Sequence, residues 1–168
     1  MIVALWIVGT LIGLIAVIVI VGMMLPQNHM ATRRMQIDAP PETVFAVITN
    51  WREFPSWRSG LKSVAARESE AGRMSWIETS GQGAMPLEVI ETNSPTRLVT
   101  KIADPSLPFG GTWTWEIQPD ANGSRVTVTE AGEIYNPVFR FMARFVFGYE
   151  ATMKGVLSDL ERKFGANR

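Results

Sequence analysis

Glu130 is the residue of this chain best placed to do chemistry. In the run 125–133 the apolar Val126 and Val128 alternate with polar neighbours, and the strand period of two puts Glu130 on their side, facing a core. A carboxylate turned inward must be paired, protonated or hydrogen-bonded. It could orient a ligand, or serve as an acid or base if desolvation raises its pKa. Two structural alternatives stand beside that reading. A bulge at Ala131–Gly132 could turn the side chain outward, or Arg97, Arg140 or Arg144 could pair with it. Tyr149 is the other group that could handle a proton. Glu88, Glu91, Glu116 and Glu133 also offer carboxylates, but on strands with solvated faces.

Composition removes most other chemistry. There is no cysteine, hence no disulfide, thiolate metal site or cysteine nucleophile. The one histidine, His29, cannot build a metal cluster alone, and no metal or cofactor is expected. It falls in a segment next to the apolar amino terminus, so no Ser-His-Asp arrangement can be drawn within the domain. Lys+Arg and Asp+Glu both number 16, which leaves no basic excess to hold a nucleic acid. No Gly-rich phosphate loop follows a strand in a βαβ unit. The absence of a recognisable catalytic constellation favours a binding module over an enzyme.

The elements that must position these residues follow from periodicity. From Ile2 to Leu25 no residue is charged, and at roughly 1.5 Å per helical residue the run crosses a hydrocarbon core of about 30 Å. A cleaved signal peptide would need a basic start, a shorter apolar run and a small-x-small cleavage site. Residues 1–25 therefore read as a transmembrane anchor. Arg33 and Arg34 follow the span and nothing basic precedes it, which places the carboxyl-terminal domain in the cytoplasm, with a bacterial inner membrane as the fitting location. Gly9 and Gly13 have the spacing of a helix-pairing motif that could support a weak homodimer, although chance produces so short a pattern easily. Residues 26–31 read as a linker reaching about 20 Å, and residues 32–168 as the domain.

Within the domain, residues 32–39 alternate as a half-buried strand. Pro40-Pro41-Glu42 opens a helix that buries Val44, Phe45 and Ile48, and Asn50 can end it in a left-handed conformation. A short second helix broken at Pro55 follows. Six strand-like runs come next, at 61–67, 73–79, 85–91, 97–103, 112–118 and 125–133, separated by turns short enough for an antiparallel meander. Asn136 caps a last helix with Pro137 in its first turn, and the stripe from Val138 to Phe164 keeps helical period for about seven turns. Strand, two short helices, six strands and one long helix describe an α+β domain in which a seven-stranded antiparallel sheet curls around the helix.

Three stretches carry a family resemblance: IDAPPETVFAVITNWREFPSWRSGLKSV, GGTWTWEIQPDANGSRVTVTEAGEI and NPVFRFMARFVFGYEATMKGVLSDLERKFG. Together they resemble the START-like, or SRPBCC, superfamily with its helix-grip fold, in the branch labelled polyketide cyclase/dehydrase-like, over about residues 32 to 166. The resemblance implies an apolar cavity between the curved sheet and the long helix. It also implies a lipid or other hydrophobic small molecule as ligand, which some members cyclise or hydrolyse. Strand parity then nominates Trp76, Trp113 and Trp115 for the cavity wall, with Phe141, Phe145, Tyr149 and Met153 from the helix and Glu130 as its polar point. The same large side chains would equally make a filled core. Phe147, beside Arg140 and Arg144 on the outer side of the helix, suits a membrane interface. In that fold Trp57 is expected to plug the closed end of the cavity, with Trp51 at its edge. The favoured reading is a membrane-anchored binding module for a hydrophobic small molecule or lipid. The alternatives are a cyclase- or hydrolase-type enzyme using a cavity carboxylate, and a non-catalytic membrane interaction protein.

Overall fold

A computed structural model describes residues 2–69 and 72–165. The amino-terminal run forms one helix, α1 (Ile2–Met24). Its most apolar 18-residue window has a mean hydropathy of 2.9, and none of that window is buried inside the protein. Such a helix is long and apolar enough to cross a bilayer, a property that signal sequences share.

Only residues 25–27 separate α1 from the first strand, β1 (Asn28–Ile37). The stretch 26–31 is thus mostly strand rather than linker. After β1 come α2 (Pro41–Thr49), a 3-10 turn (Trp51–Glu53) and α3 (Phe54–Trp57). The sheet is completed by β2 (Leu61–Ala66), β3 (Ser75–Ser80), β4 (Gly83–Asn93), β5 (Arg97–Ile102), β6 (Phe109–Asp120) and β7 (Gly123–Ile134). Its order is β1-β7-β6-β5-β4-β3-β2, antiparallel throughout, so the meander β2–β7 is closed at its far edge by β1. Register shifts in β2 and β4 add local twist. The seven-stranded helix-grip sheet with two short helices after its first strand is present as expected.

The core lies between the inner face of this sheet and the carboxyl-terminal helix α5 (Ala151–Gly165). Ile37, Ile117, Val126 and Val128 from the sheet meet Met153, Val156 and Leu160 from α5, all buried. α2 adds Val44, Phe45 and Ile48, the stripe its sequence predicts. Asn50 ends that helix with φ −82 and ψ 70, outside the left-handed region. Trp51, not Trp57, is the buried tryptophan of the short helices. It stacks on Trp76 at 6.1 Å, whereas Trp57 is half-buried and meets Phe54 edge-on at 5.6 Å. Of the two, Trp51 is the one that packs into the core, and Trp57 lies at the core's margin.

The last helix departs from the sequence reading. Asn136 does cap it, its side chain accepting from Val138 N and Phe139 N at 2.9 and 3.2 Å. Yet α4 (Pro137–Met142) passes into a π-type turn (Ala143–Phe147) and stops at Gly148, which adopts φ 76 and ψ 151. That backbone conformation is essentially restricted to glycine. The apolar stripe is not continuous: α5 grips the sheet, while α4 leaves it and packs on α1. Gly22 makes that packing possible, because a Cβ there would collide with the Pro137 carbonyl.

Candidate functional site

Glu130 faces inward, as its parity requires. Pairing of β7 with both β1 and β6 is unbroken from Ser124 to Glu133, so no bulge turns it outward. Its register neighbours are Ala31 on β1 and Trp113 on β6. None of the three arginines considered as partners takes it. Arg97 pairs with Glu91 and Glu116. Arg140 is buried and donates to the Leu25 carbonyl at 2.8 Å, where a cation suits the free end of α1. Arg144 is exposed.

The partner is His29, whose Nε2 lies 3.2 Å from Glu130 Oε1. Because β1 starts at Asn28, His29 belongs to the sheet and shares the inner face with Ala31, Arg33, Met35 and Ile37. Its side chain is only 9% exposed and that of Glu130 20%. The imidazole stacks on the Tyr149 ring at 4.2 Å and 16°. It lies over Gly132, where any Cβ would collide with the ring. Gly111, opposite Gly132 on β6, is held at φ 128, and a Cβ there would collide with the Ala131 carbonyl oxygen. Gly132 thus opens the notch that the imidazole fills. His29 Nδ1 is buried and has no hydrogen-bond partner.

The same end of the sheet carries a second tie. Arg33, on the inner face of β1, pairs with Glu150 just before α5, and Lys154 Nζ lies 3.4 Å from the same carboxylate. The bond from Arg33 holds the Glu150 carboxyl below its ordinary range. Two clefts flank this end. One, of about 310 Å³, lies between Met30–Thr32 and Phe147–Ala151; the other, of about 420 Å³, runs across the β1–β7 end over His29 and Gly132. The loop before β6 closes on the same end, with Tyr135 N donating to the Pro108 carbonyl at 2.9 Å.

The remaining nominated residues divide into two groups. Trp76, Trp115 and Met153 are buried, and Trp113 and Tyr149 pack half-buried against that core. They fill the space between sheet and α5. Phe141 and Phe145 do not face inward. They lie beyond the turn at Gly148, pack on each other at 5.0 Å, and leave Phe145 59% exposed. Phe139, Val146 and Phe147 are exposed beside them.

One group on the inner face was overlooked in the sequence. Glu78 is buried, accepting from Arg58 Nη1 at 2.7 Å and from Trp76 Nε1 at 3.1 Å. It alternates with Trp76 in β3, so parity alone could have found it. No cluster able to hold a metal ion occurs among the described residues.

Comparison with known proteins follows the same outline. Residues 29–165 match the sequence profile of the family described as polyketide cyclase / dehydrase and lipid transport. No curated protein matches the chain in sequence. Among solved structures, a START superfamily protein from Mycobacterium smegmatis superposes with a TM-score of 0.66 at 16% identity, covering 83% of this chain and 99% of that one. The di-domain aromatase/cyclase BexL from the BE-7585A biosynthetic pathway gives 0.67 at 14% identity, over 87% of this chain and 53% of its own. StfQ, the di-domain aromatase/cyclase of the steffimycin pathway, gives 0.65 at 13%, over 84% and 52%. The chain thus spans about half the length of the two di-domain proteins. At these identities the likeness is one of fold.

Proposed function

The chain belongs to the polyketide cyclase / dehydrase and lipid transport family, and from that premise we propose that it is a membrane-anchored module that binds a hydrophobic small molecule or lipid. Family and fold together support ligand binding or cyclase chemistry. The observation that carries the finer reading is one of placement. The half-buried His29–Glu130 pair and both clefts lie at the end of the sheet that α1 enters, three residues beyond an apolar helix of 23 residues. With α1 in a bilayer, that end faces the membrane surface. Arg33 and Arg34 then favour a cytoplasmic domain.

The exposed aromatic face of α4 and the π turn fits the same arrangement. Phe139, Phe145, Val146 and Phe147 would lie in the headgroup region, with Arg144 reaching the phosphates. A ligand would pass from the bilayer to the clefts without crossing bulk water. The short junction disfavours carriage between distant membranes.

Native mass spectrometry of the full-length protein from mild detergent tests this reading. A retained lipid or quinone-sized mass is expected; ligand-free protein whose melting is unmoved by added lipid extract would refute it. The carboxylate–imidazole pair supports a second reading, acid–base chemistry of the cyclase kind, whose sign would be turnover of the retained molecule rather than its release unchanged.

A further inference from the structure

The buried ring nitrogen of His29 marks a site of its own. When Glu130 is ionised its oxygen can only accept, and the contact between Glu130 Oε1 and His29 Nε2 then puts a proton on Nε2. In the neutral ring the other nitrogen then carries a bare lone pair. Nδ1 is that atom, and it is buried and unpartnered in a side chain more than nine-tenths buried. Buried polar atoms in folded proteins nearly always have a partner, and an acceptor left without one opposes folding. The surroundings leave that lone pair unmatched rather than quenching it. Glycine at 132 makes room for the ring, Glu130 fixes its tautomer, and Tyr149 covers its face.

We infer that His29 Nδ1 is the acceptor for a hydroxyl or N–H donor on the bound ligand, with Glu130 as the positioning residue that holds the N–H of the other ring nitrogen and so selects this tautomer. The inference rests on the binding reading above and deepens it. The ligand it selects is a planar apolar molecule carrying a hydrogen-bond donor. Planarity follows from the neighbours, since Tyr149 is stacked on the imidazole and Trp113 stands opposite Glu130. The way in is the Tyr149 side. That ring follows Gly148 directly and lines the cleft of about 310 Å³. The Nδ1 lone pair lies in the plane of the ring, so Tyr149 must swing aside for the ligand's donor to reach that nitrogen edge-on, beside the imidazole rather than stacked on it.

Because His29 is the only histidine, its ring nitrogens are spectroscopically unambiguous. The test uses the full chain in lipid nanodiscs and two probes of matched shape, 2-naphthol and 2-methoxynaphthalene, corrected for their partition into lipid. Imidazole ¹⁵N shifts of the free protein should show Nε2 protonated and Nδ1 bare; a proton on Nδ1 overturns the proposal without any mutation. 2-Naphthol should move the Nδ1 resonance and bind about tenfold more tightly than its methyl ether, as one neutral hydrogen bond allows. His29→Gln retains an amide near the Nε2 position but no acceptor at Nδ1, and should erase the preference. His29→Asn, with an acceptor near Nδ1 and no reach to Glu130, should retain part of it. A purely structural histidine would show neither difference. Glu130→Ala should give a mixture of ring tautomers. Equal binding of both probes defeats the hydroxyl acceptor and leaves the binding reading standing; failure of both probes to bind defeats the two together.

Discussion

Glu78 and Glu130 are both glutamates on the inner face of one sheet, and their surroundings give them opposite duties. Glu78 is buried against a guanidinium and an indole N–H, with both bonds on one oxygen. Truncating it would strand Arg58, whose side chain is only 15% exposed, without its counter-charge. Glu78→Ala is therefore expected to cost about 3–5 kcal/mol in a urea titration; a loss under about 1 kcal/mol would show that Arg58 finds water. Glu130 sits nearer solvent, with its side chain 20% exposed and an imidazole rather than a guanidinium for partner. Its inward direction was legible because Val126 and Val128 set the parity. His29 was not legible, for a physical reason. The next residue, Met30, is apolar yet 74% exposed on the outer face, which hides the alternation and makes the strand seem to begin at Thr32. Counting backward by twos from Ile37 and Met35 through Arg33 and Ala31 reaches His29. The partner of Glu130 could thus have been found from the strand already identified.

Among the elements, the carboxyl-terminal helix shows how a correct period can hide a change of partner. Val138, Phe141 and Phe145 keep the spacing of Met153, Val156 and Leu160, so the stripe reads as one helix of seven turns. The stripe records that a face is apolar, not what covers it. Up to Phe147 that face meets α1 or lies open; after Ala151 it meets the sheet. Gly148 is where the switch occurs, and glycine within a helical pattern gives only a weak stop signal. If the π turn rests in the membrane interface, position 147 lies in lipid. The chain lacks cysteine, so a nitroxide on Phe147→Cys would report one site. It should be more accessible to dissolved oxygen than to an aqueous nickel complex in nanodiscs, whereas the same label at Glu116 should show the reverse order. Equal aqueous access at both positions would remove the membrane contact of this helix.

At the scale of the whole molecule, the two ends of the domain are clasped together. Arg33 on the first strand pairs with Glu150 at the start of the last helix, and Lys154 stands by. Because the bond from Arg33 lowers the Glu150 pKa in the folded protein, its contribution is complete above the unfolded glutamate value of about 4.3. It is lost as pH falls through the lower folded value. Amide exchange in the first turn of α5 should therefore be constant from pH 7 to 5, after correction for intrinsic rates, and quicken only on further acidification. Early loss of protection at pH 6 would place the controlling group elsewhere. The fold as a whole was legible because strands such as β6 and β7 carry period-two alternation and turn residues separate the strands. The docking of α4 on α1 was not, since Gly22 lies in a run where glycine is unremarkable and its fit against Pro137 depends on residues over a hundred positions away.

The edge position of β1 sets an order of events during synthesis. β1 emerges first from the ribosome after α1, yet its pairing partner in the sheet is β7, and His29 meets Glu130 across 101 positions. Until that distant stretch has been translated, the first strand has no neighbour to zip onto, and its edge stays unpaired. Tyr149 and Glu150 arrive later still. A nascent or prematurely terminated chain would thus hold α1 and most of the meander but no assembled pair at residues 29 and 130. The contact between residues 29 and 130 therefore reports that β7 has been made and docked on β1.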